Sequence, residues 1–489
     1  MIVRDKDTQI TAEVVKGAIA EFVADVLPRL NTLADAYKGK TPITKRVRAS
    51  GLPNNKLVHA YPRYIVTMAS GYLVGAPVKY SDEKQKDAIK ALEEAHKHSK
   101  IDSVDAELAE HASIYGRGVC ICYTDEEGKP KAAALNPREA FVVYDDTVEH
   151  RPLFGVHWMD KFDVAGKKTG VTVHVHSGTE EQLFEGKAVS SLAAVPEETK
   201  AHAFGGVPMV EFWNNSDEMG DFEPVLSLIE AYDTLESDRV NDKQQFTDAV
   251  LLLTGCTLES GEEEVVEGYD EDGEPITRKD TRTAAQKLLE EKTLTLPDEA
   301  AKAEWLIKKS DETGSETLKN AINDDIHKMS MIPDLTDEHF AANASGVAMG
   351  YKLLGMEQLT KTKERWFKEG IQSRLRLFAN ILSVLARATL IPEDVTITFT
   401  RSLPVNAPEI AAMVAQLSGI APQKRLLGQL PFIDDVDKAV KELEEEQEKA
   451  AKRQADAFGG QYMDGNDVPK QEDDPKQEKD EPKKRNDDR

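Results

Sequence analysis

The sequence predicts an α+β protein. Stretches with helical period run over residues 10–37, 57–74, 222–254 and 350–388. Between the second and third, from 117 to 215, the apolar period drops to two, which reads as a compact, largely antiparallel β region. With 489 residues the chain can bury a large core, and its length suggests about three domains.

Residues 10–37 carry Val14, Val15, Ala18, Ile19, Phe22, Val26, Leu30 and Leu33 at helical spacing. Pro28 is expected to kink or split this helix, because it has no N–H to donate and its ring clashes with the preceding turn. Residues 57–74 form a second helix ended by Gly75 and Pro77, and 83–98 and 103–115 are amphipathic helices. In the β region a strand from Arg117 to Thr124 turns at Asp125-Glu126-Glu127-Gly128 and returns over Lys131 to Leu135. Phe141 to Tyr144, Leu153 to Met159, Val171 to His176, Gln182 to Phe184 and Met209 to Trp213 continue the pattern.

Residues 222–254 read as one helix of roughly 50 Å. Its ends are apolar, but its middle, Ser237 to Gln245, is almost wholly polar. A helix polar all round does not sit in a domain core, so it is expected to stand between identical neighbours. Residues 259–274 hold nine acidic residues and no basic one, an exposed acidic loop or hairpin with Asp272-Gly273 as its turn. Its oxygen ligands do not follow the calcium-loop pattern. Ala284 to Glu291 reads as a short helix, Lys302 to Ile307 as a strand, and Glu316 to Met331 as a helix stopped by Pro333. Residues 350–388 form the longest helix, roughly 58 Å. A strand follows from Val395 to Thr400, then two or three helices, the last from Val436 to about Arg453. From Gly459 onward almost no apolar residue remains, and such a tail cannot offset its ordering entropy.

The net charge of −26 argues against ordinary nucleic-acid binding, which neutralises phosphates with Lys and Arg. It fits a protein kept soluble by self-repulsion, or a surface that DNA slides past without sticking. Cys120, Cys122 and Cys256 have no metal-type spacing and fit a reducing cytoplasm. Met1 to Asp7 has no apolar h-region, so no signal peptide is expected, and no run is long and apolar enough to span a membrane.

Few residues suggest chemistry. Ala34 to Thr41 matches a relaxed phosphate-binding loop ending in Gly39-Lys40-Thr41. That chemistry needs a glycine-rich turn between a strand and a helix, whereas this segment follows a helix and runs into Pro42. His96-x-His98 and His174-x-His176 are pairs without a third ligand at recognisable spacing. No catalytic residue, cofactor site or metal site is expected.

Three phrases in order carry more information than any of these. The first is Pro53-Asn54-Asn55-Lys56 leading to Gly71-Tyr72-Leu73-Val74-Gly75-Ala76-Pro77-Val78. Ala112-Ser113-Ile114-Tyr115-Gly116, Asn136-Pro137-Arg138-Glu139 and Tyr144-Asp145-Asp146 follow. The second is Pro208 to Asn215 with Gly220-Asp221-Phe222-Glu223 and Leu228-Ile229-Glu230-Ala231-Tyr232. The third is Ser345-Gly346-Val347-Ala348-Met349. The set resembles the portal proteins of tailed double-stranded DNA bacteriophages of the long-tailed type. Singly, these glycines would supply positive φ or close packing at helix ends, and Asn214 and Asn215 would close a turn.

The resemblance implies a wing over 1–221, a stem helix over 222–255, a clip over 256–309, a second stem helix over 310–340 and a tunnel loop over 341–349. It implies a long wing helix and strand over 350–404, a helical crown over 405–458 and a charged tail over 459–489. Function would lie in a homo-oligomeric ring, of twelve by resemblance, at one capsid vertex. Double-stranded DNA would pass through it, and it would dock the terminase, head-completion (adaptor), major capsid and scaffolding proteins. It would be a virion protein made in the host cytoplasm, with no membrane partner. The alternative is a minor head protein of the capsid interior without a channel. Asn343, Ala344, Ser345, Gly346 and Val347 would line the narrowest point. Lys352, Lys361 and Lys363 would give transient phosphate contacts between otherwise acidic walls, with Glu236, Asp238 and Asp242 on the polar waist.

Overall fold

The computed structural model describes residues 1–50, 52–188, 191–194, 199–246, 250–254, 263–269, 273–280, 302–306, 312–335, 350–401, 407–428, 430, 433 and 436–459. The expected helix at 284–291, the expected loop at 341–349 and the tail beyond Gly459 lie outside them. The chain divides into two units, 1–403 and 404–489.

The first unit begins with strand β1 (Ile2–Arg4) and helix α1 (Ala12–Glu21), capped by Thr11, whose side chain accepts the Val14 N–H. The helix opens into a π turn over Phe22–Val26 and resumes as α2 (Leu27–Tyr37), with Pro28 in its first turn. Pro28 offers no N–H to the turn behind it, and the wider turn absorbs that missing donor. Helix α3 (Tyr61–Val74), strand β2 (Lys79–Ser81), α4 (Lys86–Ser99) and α5 (Ile101–Tyr115) follow.

The β region then separates into two sheets. β3 (Arg117–Thr124) and β4 (Pro130–Leu135) pair with the later β11 (Met209–Trp213). β5 (Ala140–Asp145), β6 (Pro152–Phe162), β7 (Lys168–His176), β8 (Glu180–Gly186), β9 (Ala193–Ala194) and β10 (Lys200–Ala201) build the larger one. Its order is β1-β5-β6-β7-β8-β10, with β9 also on β8. It is antiparallel except for β1, which lies parallel to β5 with Ile2 opposite Val143.

Two cores follow from the alternation. One face of the larger sheet buries Phe141, Val143, Val156, Val173 and Val175 against α1 and α2, and Phe22 stacks on Phe141 at 4.8 Å. The second core gathers α3, α4, α5 and the smaller sheet under a long helix. That helix, here α8 (Leu354–Val384), crosses β11 so closely that a Cβ on Gly370 would stand 2.6 Å from the Phe212 ring.

The expected helix over 222–254 is shorter than its sequence suggested. A short 3-10 turn leads into α6 (Leu226–Phe246), and Val250 to Thr254 is strand β12, paired antiparallel with β15 (Lys302–Leu306). Val250-Leu251-Leu252-Leu253 is a short continuous apolar run, which periodicity cannot assign to helix or strand, and a partner strand decides it. The acidic segment is a hairpin of β13 (Glu263–Tyr269) and β14 (Pro275–Asp280). Helix α7 (Glu312–Ser330) packs along α6. The long helix spans 31 residues, about 46 Å rather than 58 Å. After it, strand β16 (Thr396–Thr398) pairs with β2.

The second unit contains helices α9 (Ala407–Leu417), α10 (Gln423–Leu427) and α11 (Val436–Gly459). The last runs past Arg453, the end expected from its sequence, to Gly459.

Candidate functional site

One face of the polar waist of α6 is met by the chain itself. Asp233, Ser237 and Asn241 are fully buried on one helix face and are filled by the chain's own arm, which runs from Thr41 to His59. The Asn55 N–H donates to Asn241 Oδ1 at 2.7 Å, the Leu57 N–H to Ser237 Oγ at 2.9 Å, and the His59 N–H to Asp233 Oδ1 at 2.8 Å. Thr41 Oγ1 and His59 Nδ1 complete the Asp233 carboxylate at 3.0 and 2.9 Å. Alternate residues of an extended chain advance about 6.6 Å, and four residues of a helix about 6.0 Å. N–H groups two apart on the arm therefore meet side chains four apart on the helix, antiparallel. The waist is thus partly satisfied within the chain, since Asp233, Ser237 and Asn241 take hydrogen bonds from the arm that periodicity did not reveal.

Two acidic residues of the waist, Asp238 and Glu236, are also paired. Asp238 receives Arg46 at 2.7 Å and, more closely still, Arg48, while Glu236 pairs with Arg239 at 2.6 Å. Arg239 reaches on to Glu316 at 2.8 Å, which ties α6 to α7. An aromatic group joins the same elements: Tyr232 meets Tyr61 at 5.3 Å and His59 at 4.7 Å, and Tyr61 meets His327 at 5.9 Å. Beyond α7 the chain is held on α3. Tyr64 donates its hydroxyl to the Pro333 carbonyl at 2.7 Å and accepts the Leu335 N–H at 3.3 Å.

The expected DNA-facing residues divide. Asn343, Ala344, Ser345, Gly346 and Val347 lie outside the described residues. Lys352 is half-buried in the turn before α8, and Lys361 is exposed and pairs with Glu357 at 3.6 Å. Lys363 is no phosphate contact in this fold. Its side chain is 2% exposed, and its ammonium is sealed against Asp221 and the Ser113 hydroxyl. It belongs to the packed face of α8, and a solvent-facing reading of every lysine on a long helix ignores that face.

The quoted phrases mostly have local reasons. Asn214 and Asn215 both donate to the Met219 carbonyl, at 2.9 and 2.8 Å, and close the turn between β11 and α6. Asn214 also holds Asp221 at 2.8 Å, which orients the carboxylate that binds Lys363. Gly116 has φ +83°, and a Cβ there would collide with the Glu218 carbonyl. Gly71 has ordinary helical geometry and open space around it, so it supplies neither positive φ nor close packing, and Gly75 has φ −64°, so it supplies no positive φ.

No phosphate cradle forms at Ala34–Thr41. The Lys38, Gly39 and Lys40 N–H groups close the end of α2 on Ala34, Ala36 and Asp35, and Thr41 is committed to Asp233. His96 is a core residue against Tyr80 and Phe378, and His98 pairs with Asp125 at 2.6 Å. His174 and His176 gain an unexpected third neighbour, His157, brought opposite His174 by the β6–β7 register. The His157 ring stacks parallel on both, at 4.7 and 5.1 Å, and His174 holds Glu181 at 2.7 Å. Burial, reinforced by the neighbouring imidazoles, lowers His157 to about 3, and burial lowers His176 to about 4. The hydrogen bond from His174 lowers Glu181 to about 2. Among the described residues, no group of His, Cys, Asp and Glu is arranged to hold a metal ion, and no helix is long and apolar enough to cross a membrane.

Comparison with known proteins agrees with the ordered phrases. The family model described as phage portal protein, SPP1 Gp6-like, matches residues 23–453. The portal protein of Bacillus phage SPP1 is 23% identical over 449 residues, which is 86% of this chain and 81% of that protein. The portal protein of Clostridium phage phiCD119 is 23% identical over 423 residues, covering 83% and 88%. A chain in the neck of an empty GTA particle computed with C6 symmetry is 14% identical, covers 84% of this chain and 92% of its own, and superposes with a TM-score of 0.39. The matched span runs through both long helix systems and into the last helix, and on that ground the chain belongs to the phage portal protein family, SPP1 Gp6-like.

Proposed function

We propose that the protein assembles as a closed ring of about twelve copies, with a central channel for double-stranded DNA during packaging and ejection. The single observation that carries this reading is the portal family match over residues 23–453. The paired helices α6 and α7 are its proposed stem, the β12–β15 region its clip, and the second unit its crown. The clip meets the head-completion protein and the terminase; the wing meets the capsid and scaffolding proteins. Assembly takes place in the host cytoplasm, and the finished ring sits at the capsid vertex. The chain's part is structural and carries out no bond chemistry of its own.

Within the channel, Asn343 to Val347 form the narrow point. Lys352 and Lys361 offer weak phosphate contacts, and Lys363 is removed from that set. Tyr64 and His327 fix the chain at the root of this segment. Negative-stain images and native mass spectrometry of the purified protein test the reading. Rings with a central hole are expected, whereas monomers or dimers at micromolar concentration across salt conditions would favour a head protein without a channel.

A further inference from the structure

Between Ala36 and Ser81 the sequence has eight Lys and Arg residues and not one Asp or Glu. The chain of −26 therefore carries −34 outside this stretch of +8. Six of the cations fall between Lys38 and Lys56, with Lys38 and Lys40 at the end of α2 and the other four on the arm that bonds α6. The arm is two-sided. Thr41, Asn55, Leu57 and His59 turn hydrogen-bonding groups to the helix. Lys38, Lys40 and Lys45 are exposed, and with them stand Val47 at 87% and Leu52 at 49% exposure.

We infer that the outer side of this arm is a contact surface for a second copy of the chain, docking on an acidic and partly apolar face of its neighbour. The inference rests on the ring reading. A closed ring is built from head-to-tail contacts, in which each copy presents one surface to a different surface of the next. Copies this acidic repel one another wherever like surfaces meet. A basic segment held on an otherwise acidic body supplies the opposite sign that such a contact requires, and it steers the approach of the next copy. The exposed Val47 and Leu52 choose between occupants. A duplex backbone offers phosphates but no apolar seat for them, whereas a protein face offers both carboxylates and apolar pockets. The zipper to α6 holds the arm in place beforehand, so little ordering entropy opposes the contact.

The test uses the full chain, with the unsubstituted protein first shown to form rings; failure there would refute the ring reading and not reach this one. The triple variant Lys38→Glu, Lys40→Glu, Lys45→Glu and the double variant Val47→Ser, Leu52→Ser are then compared by native mass spectrometry and circular dichroism. Association weaker by about tenfold or more is expected for each, with unchanged dichroism, and the parent rings should loosen as salt rises. Normal rings from both variants overturn the inference. So does a triple variant that forms normal rings but loses duplex DNA binding, which would make the arm a DNA contact. Should the triple variant fail to fold, the double variant and the salt titration decide in the same way: normal rings and no salt effect overturn it.

Discussion

At the scale of single residues, the buried polar contacts are where substitution should cost most. Lys363 and Asp221 are both sealed from water and bind each other. Removing one partner leaves an uncompensated buried charge, so Lys363→Met should destabilise the fold by about 3–5 kcal/mol. Adding Asp221→Asn should recover much of that loss, read by urea unfolding of both variants. Asn241→Ala strips acceptors from the Asn55 N–H and its side chain, and should cost about 1–3 kcal/mol for groups left unsatisfied. The histidine stack gives a pH signature. His157 and His176 are held near 3 and 4 against an ordinary 6.5. The unfolded chain takes up protons below pH 6.5 that the folded chain refuses, so stability falls as pH drops from there toward 4. Glu181 acts lower, its contribution being present above 4.5 and lost as pH falls toward 2. His157→Gln with His176→Gln should flatten the slope between pH 6.5 and 4.5 by up to about 1.4 kcal/mol per pH unit per site. An unchanged slope in thermal melts would contradict this origin.

At the scale of elements, the account turns on how α6 and α8 are seated. The long helix lies on β11 because residue 370 has no side chain. Gly370→Ala should destabilise by about 1–3 kcal/mol through overpacking, and Phe212→Leu in the same chain should relieve part of it, measured by chemical denaturation. This is also the scale at which the sequence was most and least legible. The strands Arg117–Thr124 and Met209–Trp213 and the break at Pro28 could be read directly, since alternation and a missing N–H are local facts. The end of α6 could not, because Val250 to Leu253 has no periodicity of its own and becomes a strand through residues some fifty positions away. The polar waist was legible, but its partners within the chain were not. Asn55, Leu57 and His59 are distant in sequence, and all three bond through backbone N–H groups that no side-chain pattern reports. Lys363 was misassigned for a similar reason, since its burial depends on where α8 lies and not on its own neighbours in sequence. His157 entered the stack only through strand register.

At the scale of the whole molecule, the ordered phrases identified the family more surely than any residue identified a role. The phrases record turns and close approaches such as Asn214–Met219 and Gly116–Glu218, which are fixed by the fold itself. The tail beyond Gly459 has a composition that cannot build a core. Deleting residues 460–489 should leave assembly unchanged, checked by light scattering after size exclusion; collapse to monomers would show that the tail bridges copies. The central claim is that this chain is the wall of a DNA channel. Cryo-electron microscopy of the purified full-length protein tests it most directly. The account predicts closed rings with α6 and α7 beside a central hole wide enough for a DNA duplex; compact particles without a hole would contradict it.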